Sequence, residues 1–314
     1  MGTPDFAVES LKQLVENGYN VVAVVTMPDK PAGRGHKIQF SAVKEYALTQ
    51  NLPILQPSNL KDESFLEELK SYNADLQIVV AFRMLPEVVW DMPRLGTFNL
   101  HGSLLPQYRG AAPINWAIIN GETETGVTSF FLQHEIDTGN IIKQEKIVIG
   151  ENDTVGVVYD QLMNLGGKVV CETVDLILQD KVKEIPQTEV VEEQELTLKA
   201  APKIFKETCQ IDWSQSVKRV HDFIRGLSPY PAAWTTLVDQ EGKEQTVKIY
   251  ESRAIVKEHQ YAIGTIVREE KDDLKVAVEG GLIEILMLQL PGKKRLPTAD
   301  LLRGYDIDSS FHMK

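Results

Sequence analysis

Short apolar runs alternate with amphipathic stretches along the first two-thirds of the chain. Residues 21–26 (VVAVVT) and 76–81 (LQIVVA) are brief, continuous and β-branched, the pattern of strands buried on both faces. Residues 97–100 and 127–132 read as further strands, and 141–149 alternates like a more exposed one. Between them apolar residues recur at helical spacing over 5–17, 41–50, 62–72, 113–119 and 154–180. In the last of these Val155, Val158, Leu162, Leu165, Val169 and Ile177 form one stripe. Thr3-Pro4-Asp5 reads as a helix start, with Thr3 as the cap and Pro4 at the first helical position. This alternation predicts an α/β domain, a Rossmann-like doubly wound sheet with helices on both faces.

The pattern breaks at 181–203. Residues 184–195 hold five glutamates and no lysine or arginine, and Pro186 and Pro202 punctuate the flanks, so 183–203 is read as a linker between domains 1–182 and 204–314. Beyond it 214–226 is helical in pattern and Ser228-Pro229-Tyr230-Pro231 is a rigid turn. Five short strands follow, at 234–238, 246–250, 265–267, 274–278 and 282–288. Five strands and a helix suit a small β-barrel of the OB-fold kind.

The charge is unevenly placed. Residues 203–314 carry 17 basic and 17 acidic side chains, so the whole net charge of −12 belongs to the first 202 residues. Such a chain is a poor general binder of nucleic acid, and any RNA partner must be met by local basic patches. No apolar run is long enough to span a bilayer, and the first residues lack a basic-then-apolar leader pattern. Cys171 and Cys209 are too far apart for a zinc or disulfide pattern. The expectation is a cytoplasmic protein with two reduced thiols, no metal, and a monomeric state.

The candidate chemistry lies at the end of one predicted strand. Asn99 and His101 in Phe98-Asn99-Leu100-His101-Gly102-Ser103-Leu104-Leu105-Pro106 are two apart, so in a strand both side chains share a face. Asp137, in Glu135-Ile136-Asp137-Thr138-Gly139, follows another strand. In open α/β sheets ligands bind beyond the carboxyl ends of the strands, where all three could line one crevice. An amide donor, an imidazole and a carboxylate suit transfer of a one-carbon acyl unit to an amine. The amide and imidazole face the oxyanion of the tetrahedral intermediate, and the carboxylate takes the attacking nitrogen's proton. Taken alone, Asn-x-His is more often a hydrogen-bonded loop anchor than a catalytic pair.

Longer motifs go further. Asn99-Leu-His101-Gly-Ser103-Leu-Leu-Pro106, Tyr108-Arg109-Gly110-Ala111-Ala112-Pro113 and Asp137-Thr138-Gly139 resemble the signature of the folate-dependent formyltransferases. Gly2-Thr3-Pro4-Asp5-Phe6 and Pro28-Asp29-Lys30-Pro31-Ala32-Gly33-Arg34-Gly35 narrow the resemblance to the branch acting on initiator methionyl-tRNA. The resemblance covers nearly the whole chain, through Ile211-Asp212-Trp213 and Gly226-Leu227-Ser228-Pro229-Tyr230-Pro231. It implies a formyltransferase fold with Asn99, His101 and Asp137 as the catalytic trio. The co-substrate it implies is 10-formyltetrahydrofolate, contacted by Ser103, Leu104, Leu105 and Pro106, with Phe82 and Leu85 shaping the pterin pocket. Arg83 stands where such proteins more often have a glycine-containing segment. Lys30, Arg34 and Lys37 fall in the loop expected to enter the tRNA acceptor end, alongside His36 and Lys44. Lys293, Lys294 and Arg295 are candidate phosphate contacts in the second domain. Trp116 and Trp213 are expected in the core.

Two alternatives remain at this level: a formyltransferase acting on a small amine, such as a glycinamide ribonucleotide or an amino sugar, and an RNA-binding module with a degenerate site. The intact trio argues against the second. The resemblance also implies an apolar strand just before Gly2, and its absence would leave unpaired backbone groups costing about 1–3 kcal/mol each if buried.

Overall fold

In the computed structural model, residues 1–32 and 37–314 are described. The chain divides into two compact units, Met1–Pro113 with Thr125–Ile147 and Tyr159–Ala200, and Ile114–Glu124 with Val148–Val158 and Ala201–Lys314. Residues 159–200 therefore pack with the first unit, and 114–124 and 148–158 with the second.

The first unit is α/β. Strand Gln77–Val80 pairs in parallel with Thr97–His101, which pairs antiparallel with Glu124–Phe131, and Ile141–Val148 lies outermost. The sheet is thus mixed. A separate parallel pair, Val24–Val25 with Ile54–Leu55, lies on the other side. Gly2 joins the two: its N–H donates to Val25 O at 3.1 Å and it bridges Val80 in parallel. Only glycine serves there, because a Cβ would sit 2.5 Å from Ala7 Cβ and 2.9 Å from Val80 O. Beyond Gly2 the two edges part around a groove of about 440 Å³ lined by Leu11, Leu14, Val22, Val24, Ile78 and Val174.

Helix Asp5–Glu16 buries Phe6, Ala7, Ser10 and Leu14, one face at helical spacing. Its start corrects the expected one. Pro4 occupies the cap position in extended backbone, so the helix begins a residue later than a Thr3 cap requires, and Thr3 Oγ1 is buried without a hydrogen bond. The next two helices carry side-chain caps, worth about 1 kcal/mol each. Ser41 accepts from Lys44 N before Ala42–Thr49, and Asp62 from Phe65 N before Glu63–Ser71. Helix Val155–Leu178 matches the predicted long stripe to within two residues.

The second unit is an antiparallel barrel-like sheet. Its strands run in the order Ile266–Val267, Lys275–Val278, Gly281–Gln289, Glu244–Val256, Ala233–Val238 and His312–Met313, and a Thr265–His312 bridge brings the first and last together. Helix Val217–Gly226 packs Val217, Val220 and Ile224 into a core with Leu237, Ile249 and Leu288. Trp213 is 4% exposed in that core and donates to Thr235 Oγ1, while Trp116 packs partly buried against it. The same helix buries an ion pair, Arg225 with Asp222 at 2.8 Å, and Arg225 also donates to the carbonyls of Gly150 and Asp153.

His221, beside that pair, is held neutral. Burial and then the Arg225 charge push its pKa below the ordinary 6.5, against weaker opposing effects of Asp222 and Glu151. The unfolded ring binds a proton near 6.5 while the folded ring resists it, so stability is lost as pH falls below that value. The slope reaches at most about 1.4 kcal/mol per pH unit. Urea unfolding between pH 7.5 and 5.5 is expected to show this slope, and His221→Gln to flatten it. An equal slope in the variant assigns the effect elsewhere.

Candidate active site

Asn99 and His101 stand on one face of strand Thr97–His101, with Phe98 and Leu100 buried on the other. His101 is 7% exposed. Its Nε2 lies 2.8 Å from Tyr108 O, and since a carbonyl only accepts, Nε2 carries the hydrogen. The other ring nitrogen, Nδ1, points at Asp137 Oδ2, 3.8 Å away. The predicted meeting of His101 and Asp137 across 36 residues therefore occurs. Asn99 is half-buried, and its amide makes no side-chain hydrogen bond among the described residues, leaving two N–H donors for a ligand.

Two non-glycine residues in the left-handed backbone region hold this geometry. Tyr108, at φ 60°, presents its carbonyl to His101, and Asp137, at φ 57°, presents its carboxylate. Such conformations cost about 1–3 kcal/mol each and persist where surroundings over-determine them. Asp137 Oδ2 accepts from Gly110 N at 3.0 Å. Its carbonyl and that of Gly139 accept from Gln187 Nε2 at 2.9 and 2.8 Å, and Gln187 Oε1 accepts twice from Arg109.

The segment after His101 is pinned by Thr128. Its hydroxyl donates to Ser103 O at 2.6 Å and accepts from Leu105 N at 3.0 Å, and Gln144 donates to Leu105 O at 2.7 Å. Ser103 is fully buried and its hydroxyl donates to Gln107 O. Leu105 is 1% exposed and packs with Phe130 and Ile141. Its side chain is thus core, whereas Leu104 is half-buried, and the Leu105–Pro106 peptide is cis. Leu85 likewise lies in a core cluster with Val79 and Val89, with Phe82 packed partly buried on it. Arg83 donates to the carbonyls of Ser58 and Pro57 and stacks over Phe82 at 5.7 Å.

Of the predicted basic residues, Lys30 is exposed in a two-stranded ribbon, Lys30–Ala32 against Lys37–Gln39. Lys37 lies in its second strand, and Arg34 and His36 fall outside the described residues. Lys44 is committed elsewhere, to Asp29 at 2.6 Å and Gln56 at 2.8 Å. In the second unit Lys293, Lys294 and Arg295 are exposed on the turn after Gly281–Gln289, with the Arg295 guanidinium 4.7 Å over the Tyr250 ring. Among the described residues no three potential metal ligands cluster and no helix is long and apolar enough to cross a membrane.

An amide, an imidazole and a carboxylate gathered in an α/β unit are groups that can carry acyl transfer. The chain belongs to the formyl transferase family, whose description "Formyl transferase" matches residues 1–174 and "Formyl transferase, C-terminal domain" residues 203–306. Among curated relatives, the methionyl-tRNA formyltransferase of Bacteroides fragilis is 66% identical over 314 residues, covering 100% of this chain and 96% of the relative. That of Parabacteroides distasonis is 61% identical over 97% and 94% of the two chains. Solved structures of like fold include WlaRD, a sugar 3N-formyl transferase (TM-score 0.62, 22% identity, 93% and 97% coverage). An N-formyltransferase from Helicobacter canadensis is also similar (TM-score 0.60, 19% identity, 94% and 97% coverage). At these identities the likeness to solved structures is one of fold.

Proposed function

We propose that this protein transfers the formyl group of 10-formyltetrahydrofolate to the α-amine of methionine on initiator tRNA. The observation that carries the reading is the similarity to methionyl-tRNA formyltransferases along the entire chain, both units included. A cytoplasmic location and a monomeric state belong to the same reading.

The amine nitrogen attacks the formyl carbon and the carbonyl electron pair moves to oxygen. Asn99 donates to that oxyanion from its free amide. His101 has committed Nε2–H to Tyr108 O, so any hydrogen bond it gives the oxyanion comes from a protonated Nδ1, with the Asp137 carboxylate beside it balancing the charge. Asp137 takes the proton from the attacking nitrogen. The bond from carbon to the folate nitrogen then breaks, and that nitrogen takes up a proton from the pair. Ser103, Leu104, Leu105 and Pro106 are the residues assigned to the folate, Leu104 having the least buried side chain of the four, with Phe82 and Leu85 as the neighbouring wall. Lys30, Arg34, Lys37, Lys293, Lys294 and Arg295 are the residues assigned to the tRNA.

The test is a formyl-transfer assay offering charged initiator tRNA, a nucleotide-linked amino sugar and glycinamide ribonucleotide in parallel. Turnover is expected with the tRNA alone. Turnover confined to a small amine overturns the tRNA reading, and tight tRNA binding without turnover overturns the enzymatic one.

A further inference from the structure

We propose that Gln187 is a positioning residue for formyl transfer, fixing the backbone that aims Asp137 at His101; the inference rests on the function proposed above. Gln187 opens helix Gln187–Glu193 in the acidic segment, 50 residues from Asp137, and is 2% exposed. Its amide uses all its hydrogen-bonding capacity. The two N–H groups donate to Asp137 O (2.9 Å) and Gly139 O (2.8 Å), and the oxygen accepts from Arg109 Nε (3.0 Å) and Nη2 (2.7 Å). The orientation is unambiguous: carbonyls cannot donate and a guanidinium cannot accept, so only one placement of oxygen and nitrogen satisfies all four partners.

This amide joins the two segments on which the carboxylate depends. One is the left-handed turn at Asp137, and the other is Arg109-Gly110, whose Gly110 N–H holds Asp137 Oδ2. Asp137 is therefore gripped at its backbone by Gln187 and at its side chain by the residue following Gln187's other partner. Gln187 is itself anchored. Ile185 and Ile141 exchange backbone hydrogen bonds at 2.9 Å in both directions, and Val190 packs on Leu105, Phe130 and Ile141. Misplacing a reacting group by about 1 Å costs on the order of 100-fold in rate, so a tether at this point acts on turnover.

The decisive variant is Gln187→Glu. It keeps the shape and an acceptor for Arg109, but sets an oxygen without a hydrogen against the two carbonyls. Gln187→Ala removes both sides, and if it does not fold the isosteric variant carries the test. In full-length protein, with melting temperature measured alongside, kcat is expected to fall about 10–100-fold with KM for the folate and for tRNA within about threefold. In an Asp137→Asn background the same change is expected to cost nothing further, since Gln187 acts through Asp137. Wild-type kcat in Gln187→Glu, or an equal loss in the Asp137→Asn background, overturns the proposal. A wild-type enzyme that formylates no charged initiator tRNA overturns the underlying function instead.

Discussion

Asp137→Ala is expected to lower turnover by about 10²–10⁴-fold, the range for removing a general base, while charged tRNA still binds within about twofold of wild type. Alanine also removes the acceptor that Gly110 N–H uses, so the loop loses a tether along with the base. Asp137→Asn separates the two effects. Its amide oxygen can still accept from Gly110, but it takes no proton at neutral pH. Single-turnover formyl transfer is therefore expected to be nearly as slow with asparagine as with alanine. A fast asparagine variant would leave Asp137 as an anchor and remove it from the proton path.

Gly139→Ala is expected to be among the most damaging single-methyl additions in the first unit. An added Cβ would stand 1.7 Å from Phe131 O and 2.9 Å from Phe131 C. Those atoms are backbone and cannot swing aside, so either the strand or the turn must move. The expected cost is about 3 kcal/mol, the upper part of the usual overpacking range, or roughly 6–12 °C in melting temperature for a unit of this size. Because Gly139 O is held by Gln187, the displacement also carries Asp137 away from His101, and turnover falls with stability. Gly304→Ala is the control. It has no atom within 4 Å of the added Cβ and no positive φ, so calorimetry should register almost nothing there. A Gly139→Ala protein melting with wild type would mean that the turn has another conformation of similar energy.

Much of this architecture is legible in the sequence because it is written locally. Helical periodicity fixed the ends of Asp5–Glu16, Glu63–Ser71 and Val155–Leu178 to within a residue or two of those read from the chain. The two-residue spacing put Asn99 and His101 on one face. What escaped was set by tertiary context. Ile54–Leu55 is two residues long and carries no periodicity of its own. Strand Glu244–Val256 reads as 246–250 because register shifts around Ile249, Glu251 and Ser252 interrupt its alternation. Gln187 was missed because five glutamates and a proline in its neighbourhood read as solvated linker, and nothing in a polar run marks which amide turns inward. The buried Thr128 that pins the 103–105 backbone is equally silent, one β-branched residue in a strand that would accept any other.

Backbone hydrogen bonding is unevenly distributed in the first unit. Strand Thr97–His101 is hydrogen-bonded on both sides within a four-stranded ladder, whereas Val24–Val25 pairs with Ile54–Leu55 over two residues. Local opening free energies follow such differences in hydrogen bonding and packing. The ribbon bearing Lys30 follows Val24–Val25 in the chain, and Gln56 ties its base through Met27 O and Asp29. Amide protection is therefore expected to be greatest along the ladder strand that carries Asn99 and His101, which keeps both side chains on a slowly exchanging backbone.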